Sequence, residues 1–160
     1  MNRPTRQDLT KLRAIANYQF GSNAGRVLFP SDIAVTHSRK TGRIRLVYRG
    51  DDLIATLKPT TGLLALTPAG AKILLSKIKS PALRVVVRNE VSEFVRMGRN
   101  VFAKHVIEAD PNLRPQDESI VVNERGELLA VGRAVLSGEE MLSFRSGVAV
   151  KVRKGHASST

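Results

Sequence analysis

The chain has 160 residues, and its 26 Lys and Arg against 14 Asp and Glu give a formal net charge of +12, which excludes an acidic or charge-balanced protein. It contains no cysteine, so a disulfide framework and a cysteine-ligated zinc site are excluded as well. No apolar run approaches the ~20 residues that a membrane-spanning helix needs. We therefore expect a soluble, cytoplasmic protein that does not contact a membrane.

The positive charge is concentrated in the first half of the chain. Residues 1–80 hold 14 basic and 4 acidic side chains, a net charge of +10, whereas residues 81–160 hold 12 and 10, a net charge of +2. A surface of this kind favours a polyanionic partner, and nucleic acid is the prediction. The alternative is a basic surface that binds nothing.

Residues 1–80 predict a small α+β domain in which helices pack on an antiparallel sheet. Apolar residues at helical spacing indicate a first helix from about Asp8 to Tyr18. From Ala34 to Leu66 short strands alternate with turns, which indicates a meander. The turns are expected at Thr41-Gly42, Gly50-Asp51 and Thr61-Gly62. Thr67-Pro68, an N-cap followed by proline at the first helical position, begins a second helix, and Ser80-Pro81 ends the domain.

One strand of this meander is unusually basic. Strict alternation over residues 43–49 sends Ile44, Leu46 and Tyr48 to one face and leaves Val47 with the arginines on the other. We call the resulting set the basic stripe; it consists of Arg39, Lys40, Arg43, Arg45 and Arg49. The stripe predicts contact with a phosphate backbone, although arginines on a solvated strand face also serve solubility alone.

The second half opens with a strand, a helix and another strand. Arg84–Val87 is the strand, and Asn89 is expected to cap a helix whose apolar side is formed by Val91, Phe94 and Val95. Gly98 is expected to end that helix in the left-handed conformation. A second strand then runs from Arg99 to Val106.

The remainder of the chain reads as strands joined by a hairpin and a short helix. Gly126 supplies the positive φ of the hairpin, and Ser137 with Glu140 forms a capping box before the short helix. In the last strand, alternation directs Val148, Val150 and Val152 inward and Lys151 and Arg153 outward.

This order of elements resembles the PUA domain, an RNA-binding module. The resemblance begins with the strand, the short helix ending in glycine and the basic-apolar strand, and it continues through three later segments: Leu113–Val122, Leu128–Ala134 and Val148–Val152. The first half resembles the small domain that precedes PUA in archaeal tRNA-guanine transglycosylases and archaeosine synthases. That second resemblance is carried by Gln19-Phe20-Gly21, Gly42–Arg45 and the segment from Gly62 to Ala71.

The resemblance implies an architecture and a binding groove. Residues 81–155 would form a mixed β pseudo-barrel with short helices, followed by a disordered tail over 156–160. In the resembled family, the groove between the first helix, the second strand and the last strand receives the end of the tRNA acceptor stem. The positions that carry over are Gly98, Arg99, Asn100, Val101, Lys104, Lys151 and Arg153. Phe102 is a candidate for stacking on a base or for the core, and His105 for RNA contact or packing.

The same resemblance implies binding without catalysis. Transglycosylases of that family work through aspartates on a TIM-type barrel of roughly 250 residues, a unit that this sequence does not contain. We therefore expect a non-catalytic tRNA-binding protein without cofactor or metal, which presents tRNA to a separate transglycosylase-type subunit. The alternative is a PUA-type adaptor in ribosome or translation-factor assembly.

Overall fold

A computed structural model describes residues 1–157, which divide into two compact units between Ile78 and Lys79. Each unit combines helices with its own sheet, so the predicted α+β class is confirmed. The predicted disordered tail begins at His156, whose N–H donates to the Leu129 carbonyl at 2.7 Å; residues 158–160 of that tail lie outside the described residues. Within the described residues, no helix is both long enough and apolar enough to span a membrane.

The first unit packs three helices and a four-stranded antiparallel sheet of order β1-β2-β3-β4. Its elements are α1 (Arg6–Phe20), α2 (Ala24–Leu28), β1 (Ala34–His37), β2 (Ile44–Arg49), β3 (Asp52–Leu57), β4 (Leu64–Leu66) and α3 (Pro68–Leu75). Helix α1 begins earlier than predicted because Thr5 and Asp8 form a capping box that satisfies its first backbone N–H groups. Thr67 caps α3 with Pro68 in its first turn, as predicted.

Helix α1 is fastened to the sheet by both packing and hydrogen bonds. Leu12, Ala16 and Phe20 form its buried side. The Gln19 side chain accepts from the Leu64 N–H at 2.6 Å and donates to the Leu64 carbonyl at 3.1 Å. A glutamine that satisfies both backbone groups of one residue extends the ladder of β4 at its open edge.

Strand β2 does not alternate as predicted. Val47 is fully buried, whereas Leu46 and Tyr48 are only half-buried. In the pairing with β1, Thr36 lies opposite Leu46 but His37 lies opposite Ile44, so Arg45 is the extra residue of a bulge. A bulge changes which residues face the core, and Ile44 and Val47 can therefore both be buried.

Over its described residues, the second unit has two short α-helices and a six-stranded sheet of order β6-β10-β9-β8-β5-β7. Its elements are β5 (Arg84–Val87), α4 (Ser92–Arg96), β6 (Val101–Phe102), β7 (Val106–Ala109), β8 (Glu118–Val122), β9 (Leu128–Ala134), α5 (Gly138–Ser143) and β10 (Val148–Gly155). Strands β5 and β8 are parallel and all other pairs are antiparallel.

The connection from β6 to β7 shows that this sheet curls into a nearly closed barrel. The two strands lie at opposite edges of the sheet, yet only the short 3-10 turn Ala103–His105 separates them along the chain. Three residues span at most about 11 Å, so the two edges must approach each other. The predicted continuous strand from Arg99 to Val106 is therefore wrong, because the chain leaves one edge and joins the other.

Two further details of the second unit differ from the sequence prediction. Asn89 does not cap α4, since its backbone N–H donates to the Glu124 carboxylate at 2.9 Å and its side-chain oxygen accepts from the Glu124 N–H at 3.0 Å. A 3-10 turn over Asn89–Val91 precedes the helix instead. In β10, Ala149 and Val150 are buried while Val148 and Val152 are half-buried. The pairing with β6 shifts register between Val148 and Val150, so Ala149 is the extra residue of a bulge that interrupts the alternation.

Candidate nucleic-acid interface

A glycine with a positive φ forms the turn after α4. Gly98 has φ 96°, which L side chains rarely adopt, and its N–H donates to the Val95 carbonyl at 2.9 Å. The Arg99 N–H donates to the Phe94 carbonyl at 3.1 Å and completes the end of the helix. The predicted left-handed end of the helix at Gly98 is confirmed, and it leaves Gly98, Arg99 and Asn100 exposed.

This turn lies directly against β10. The Asn100 side-chain oxygen accepts from the Val152 N–H at 3.0 Å, and β6 pairs with β10 through Val101 opposite Val150. Gly155 allows the close approach, because a Cβ there would collide with the Arg96 carbonyl. Helix α4, strand β6 and strand β10 therefore meet; they are the three elements between which the resemblance places the groove.

Helix α4 exposes more apolar surface than predicted. Phe94 was expected on its buried side, but it is 54% exposed, and the neighbouring Met97 is 73% exposed. The Arg99 guanidinium lies 5.7 Å from the centre of the Phe94 ring, a cation–π contact. Val95 is the buried residue of this five-residue helix. The apolar spacing therefore misassigned Phe94, and its pairing with Arg99 was not visible in the sequence.

The residues after the turn divide between surface and interior. Val101 is 1% exposed, so its side chain belongs to the core and only its backbone can face a ligand. Phe102 is 45% exposed, which agrees better with stacking than with the core alternative. Lys104 is exposed and His105 is half-buried.

The pKa of His105 is lowered from its ordinary value, first by burial of the ring and then by the nearby charges of Lys104 and Arg88, while Glu90 opposes the shift. At neutral pH the imidazole is therefore uncharged. One ring nitrogen of the neutral imidazole donates a hydrogen bond and the other accepts one, and the ring adds no positive charge.

The two cations of β10 do not have the same surroundings. Lys151 is exposed, in agreement with the prediction. Arg153 forms a two-point ion pair with Glu118, whose side chain is 1% exposed. The guanidinium of Arg153 is thus engaged by a buried carboxylate, and that both cations face a ligand stays a prediction.

In the first unit, part of the basic stripe lines one cleft of about 260 Å³. Lys40, Arg43 and Arg45 lie along it, and they are joined by Lys11 from α1 and Lys58 from the end of β3. Arg39 lines an adjacent hollow together with Lys40 and Arg45. Arg49 is exposed at the far end of β2 and lines neither. Lys11 and Lys58 were missed, because nothing in their local sequence indicates that they approach β2.

Comparison with known families matches each half of the chain to a different domain family. Residues 10–81 match the patch-forming domain C2 of tRNA-guanine transglycosylase, and residues 83–156 match the PUA domain. Residues 83–156 are therefore those of a PUA domain. The PUA match covers the second unit from β5 to the end of β10, and with it the turn at Gly98 and the strand that carries Lys151.

Curated relatives of this chain are archaeal transglycosylases. It is 47% identical over 94% of its length to the tRNA-guanine(15) transglycosylase of Methanothermobacter thermautotrophicus, covering 23% of that protein. The corresponding enzyme of Pyrococcus furiosus is 45% identical over 97% of this chain, which covers 26% of that enzyme. The chain thus spans about a quarter of these relatives. The predicted resemblance is confirmed.

Two solved structures have the same fold as this chain. A hypothetical protein from Pyrococcus horikoshii superposes with a TM-score of 0.76 at 23% identity, covering 94% of this chain and 91% of that one. A PUA domain from Aeropyrum pernix, solved with tartrate, gives 0.71 at 11% identity, covering 99% and 86%. The PUA domain and the similarity to the transglycosylases together support RNA binding.

Proposed function

We propose that this protein binds tRNA without catalysing its modification, and that it presents the tRNA to a transglycosylase-type catalytic unit. The observation that carries the proposal is the turn Gly98–Asn100, held against β10 by the Asn100–Val152 hydrogen bond beside the exposed cations Arg99 and Lys151. The match to domain C2 and the names of the curated relatives make tRNA the preferred RNA.

The groove between α4, β6 and β10 is the site proposed for the acceptor end. The backbone at Gly98 can approach a ribose closely because no side chain intervenes. Phe94 and Phe102 offer exposed aromatic rings for an unpaired base, and Arg99 and Lys151 offer charge for the phosphates. Single-stranded RNA ends suit such a site, because their bases are free to stack on side chains.

The basic stripe of the first unit contributes a second, less selective attraction. Its exposed arginines neutralise phosphates wherever the backbone passes, which raises affinity without distinguishing one sequence from another. Binding energy gained away from the reacting base lowers the apparent KM for tRNA and leaves the chemical step unchanged.

The test compares intact tRNA with tRNA trimmed at its 3′ end. We expect intact tRNA to bind more tightly, and the double variant Arg99→Ala/Lys151→Ala to remove that preference while retaining the weaker binding of trimmed tRNA. The matched control is Lys72→Ala/Lys77→Ala, which removes the same charge from exposed positions in and after α3. Equal affinity of the wild-type protein for both tRNAs would rule out the groove.

The presentation role has its own measurement. Guanine exchange into tRNA is followed with a transglycosylase-type catalytic unit that lacks C2 and PUA domains, in the presence and absence of this protein. We expect a lower KM and an unchanged kcat when the protein is present, and no exchange by the protein alone. Exchange by this protein alone, or a KM that does not respond to it, would contradict the proposal.

A further inference from the structure

Two turns of the first unit share one geometry. The turn between β1 and β2 runs from Ser38 to Arg43, and the turn between β3 and β4 runs from Lys58 to Leu63. In the first, the Ser38 N–H donates to the Arg43 carbonyl at 2.7 Å; in the second, the Lys58 N–H donates to the Leu63 carbonyl at 2.8 Å. Each turn has a Thr-Gly pair at its end, and both glycines have φ 73°.

The side-chain hydrogen bonds of the two turns also correspond. The Thr41 hydroxyl accepts from the Arg43 N–H at 3.2 Å, and the Thr61 hydroxyl accepts from the Leu63 N–H at 3.2 Å. In an antiparallel meander, the first and third turns emerge at the same end of the sheet. The turns are thus a matched pair, and we call them the twin turns.

A concave site lies between the twin turns. The cleft of about 260 Å³ is lined by Ser38, Lys40, Thr41 and Arg43 on one side and by Lys58, Pro59 and Gly62 on the other. Its volume is close to the lower end of the roughly 300–1,000 Å³ typical of small-molecule sites. It has room for one nucleotide unit and is too small for a duplex.

The cleft combines an apolar wall with a cationic rim. Ile44, Leu57 and Pro59 supply apolar surface, whereas Lys11, Lys40, Arg43, Arg45 and Lys58 bring positive charge. None of the described residues that line it has a carboxylate. Phosphate oxygens pair with lysine and arginine, and the face of a base packs on apolar side chains or on a guanidinium plane.

We infer that this cleft binds one unstacked nucleotide of the RNA, with its phosphate on the cationic rim and its base against Ile44 and Leu57. The inference rests on the proposed function for the identity of the polymer. In this case the basic stripe would bind a base as well as backbone phosphates. A base that enters the cleft must first have left the stack of its RNA helix. The first unit would therefore favour RNA with an unpaired or extruded nucleotide.

The first experiment needs no tRNA. Methyl resonances of Ile44 and Leu57 are followed by NMR while the protein is titrated with AMP, UMP, ribose 5-phosphate and inorganic phosphate. We expect AMP and UMP to shift both methyl groups and to bind more tightly than the two phosphates that lack a base. Equal binding of inorganic phosphate and AMP, or methyl groups that do not respond, would show a plain anion site and overturn the inference.

The second experiment uses tRNA and the double variant Lys11→Ala/Lys58→Ala, with Lys72→Ala/Lys77→Ala as the matched loss of charge. We expect the cleft variant to bind tRNA more weakly than the control and to lower the salt dependence by about one unit per lost phosphate contact. Identical tRNA binding by the two variants would overturn the inference and leave the groove proposal intact. Failure of the wild-type protein to bind tRNA would refute the proposed function, while the nucleotide titration would still decide the cleft.

Discussion

Arg153 donates two hydrogen bonds to Glu118, from Nη1 to Oε1 at 2.9 Å and from Nη2 to Oε2 at 2.6 Å. The carboxylate is 1% exposed and the arginine side chain 35% exposed, so the pair extends from the interior of the barrel to its surface. It joins β10 to β8 across the intervening strand β9. An arginine that the sequence places among the ligand-facing cations thereby stabilises the fold.

We expect Arg153→Ala to lower the free energy of unfolding by about 2 to 3 kcal/mol. Removing one partner of a fully buried ion pair costs about 3 to 5 kcal/mol, and the cost is smaller here because Arg153 is partly exposed to solvent. Lys151→Ala, on the same strand and with the same loss of charge, is the control and should leave stability unchanged while weakening RNA binding. Chemical denaturation and tRNA binding of both variants provide the measurements. Equal stability of the two variants would contradict the structural role of Arg153.

Replacement of Arg43 and Arg45 by alanine should weaken the binding of intact and 3′-trimmed tRNA about equally, because neither side chain belongs to the proposed acceptor-end groove. Each phosphate contact that is lost should reduce the slope of log affinity against log salt by about 0.7 to 0.9, because fewer counterions are released. Affinity is measured from about 50 to 200 mM salt with intact tRNA, trimmed tRNA and an unrelated hairpin. An affinity that does not vary with salt in the wild-type protein would contradict phosphate contact by the basic stripe.

The lowered pKa of His105 predicts a pH dependence of stability. The folded state holds the proton less tightly than the unfolded state, so its stability is fully present above the unfolded pKa of ~6.5 and decreases as pH falls through the lowered folded value. NMR titration of the His105 ring measures this pKa directly. Lys104→Ala should raise it and Glu90→Gln should lower it, since these neighbours act in opposite directions. Shifts of the same sign in both variants would refute the assigned causes.

The twin turns predict two equal losses of stability. Gly42 and Gly62 share φ 73° with open space where a Cβ would stand, so alanine at either position introduces backbone strain and no collision. We expect each variant to lose about 1 kcal/mol of unfolding free energy. Gly25→Ala should lose clearly more, because its Cβ would collide with the backbone of Arg13. Thermal or chemical denaturation of the three variants tests whether the two turns are equivalent.

Local patterns predicted those elements of this chain that depend on a few neighbouring residues. The capping box of Ser137 and Glu140, the cap of α3 at Thr67 and the left-handed Gly98 all occur as predicted. Each depends on hydrogen bonds or dihedral angles within about five residues, so the information lies in the local sequence. The order of strands, helices and glycine turns also indicated the PUA fold before any tertiary contact was known.

Tertiary structure decided everything that depends on partners distant in sequence. Asn89 is of a residue type that caps helices, but it forms two hydrogen bonds with Glu124, 35 residues away in sequence, and does not cap α4. The bulge at Arg45 is set by the pairing with β1, and it reversed the burial expected for Leu46 and Val47. Closure of the barrel interrupted the strand after Phe102 because the chain had to pass from one sheet edge to the other.

In the candidate site, too, some features follow from the local sequence and others from tertiary contacts. The sequence by itself determined which residues carry positive charge and where glycines allow the backbone to turn, because these are properties of single residues. Only the folded chain brought Lys11 and Lys58 to the basic stripe and engaged Arg153 with Glu118. Side chains converge on a cleft or a buried charge through contacts between strands and helices that are remote in sequence, and no local pattern encodes that convergence.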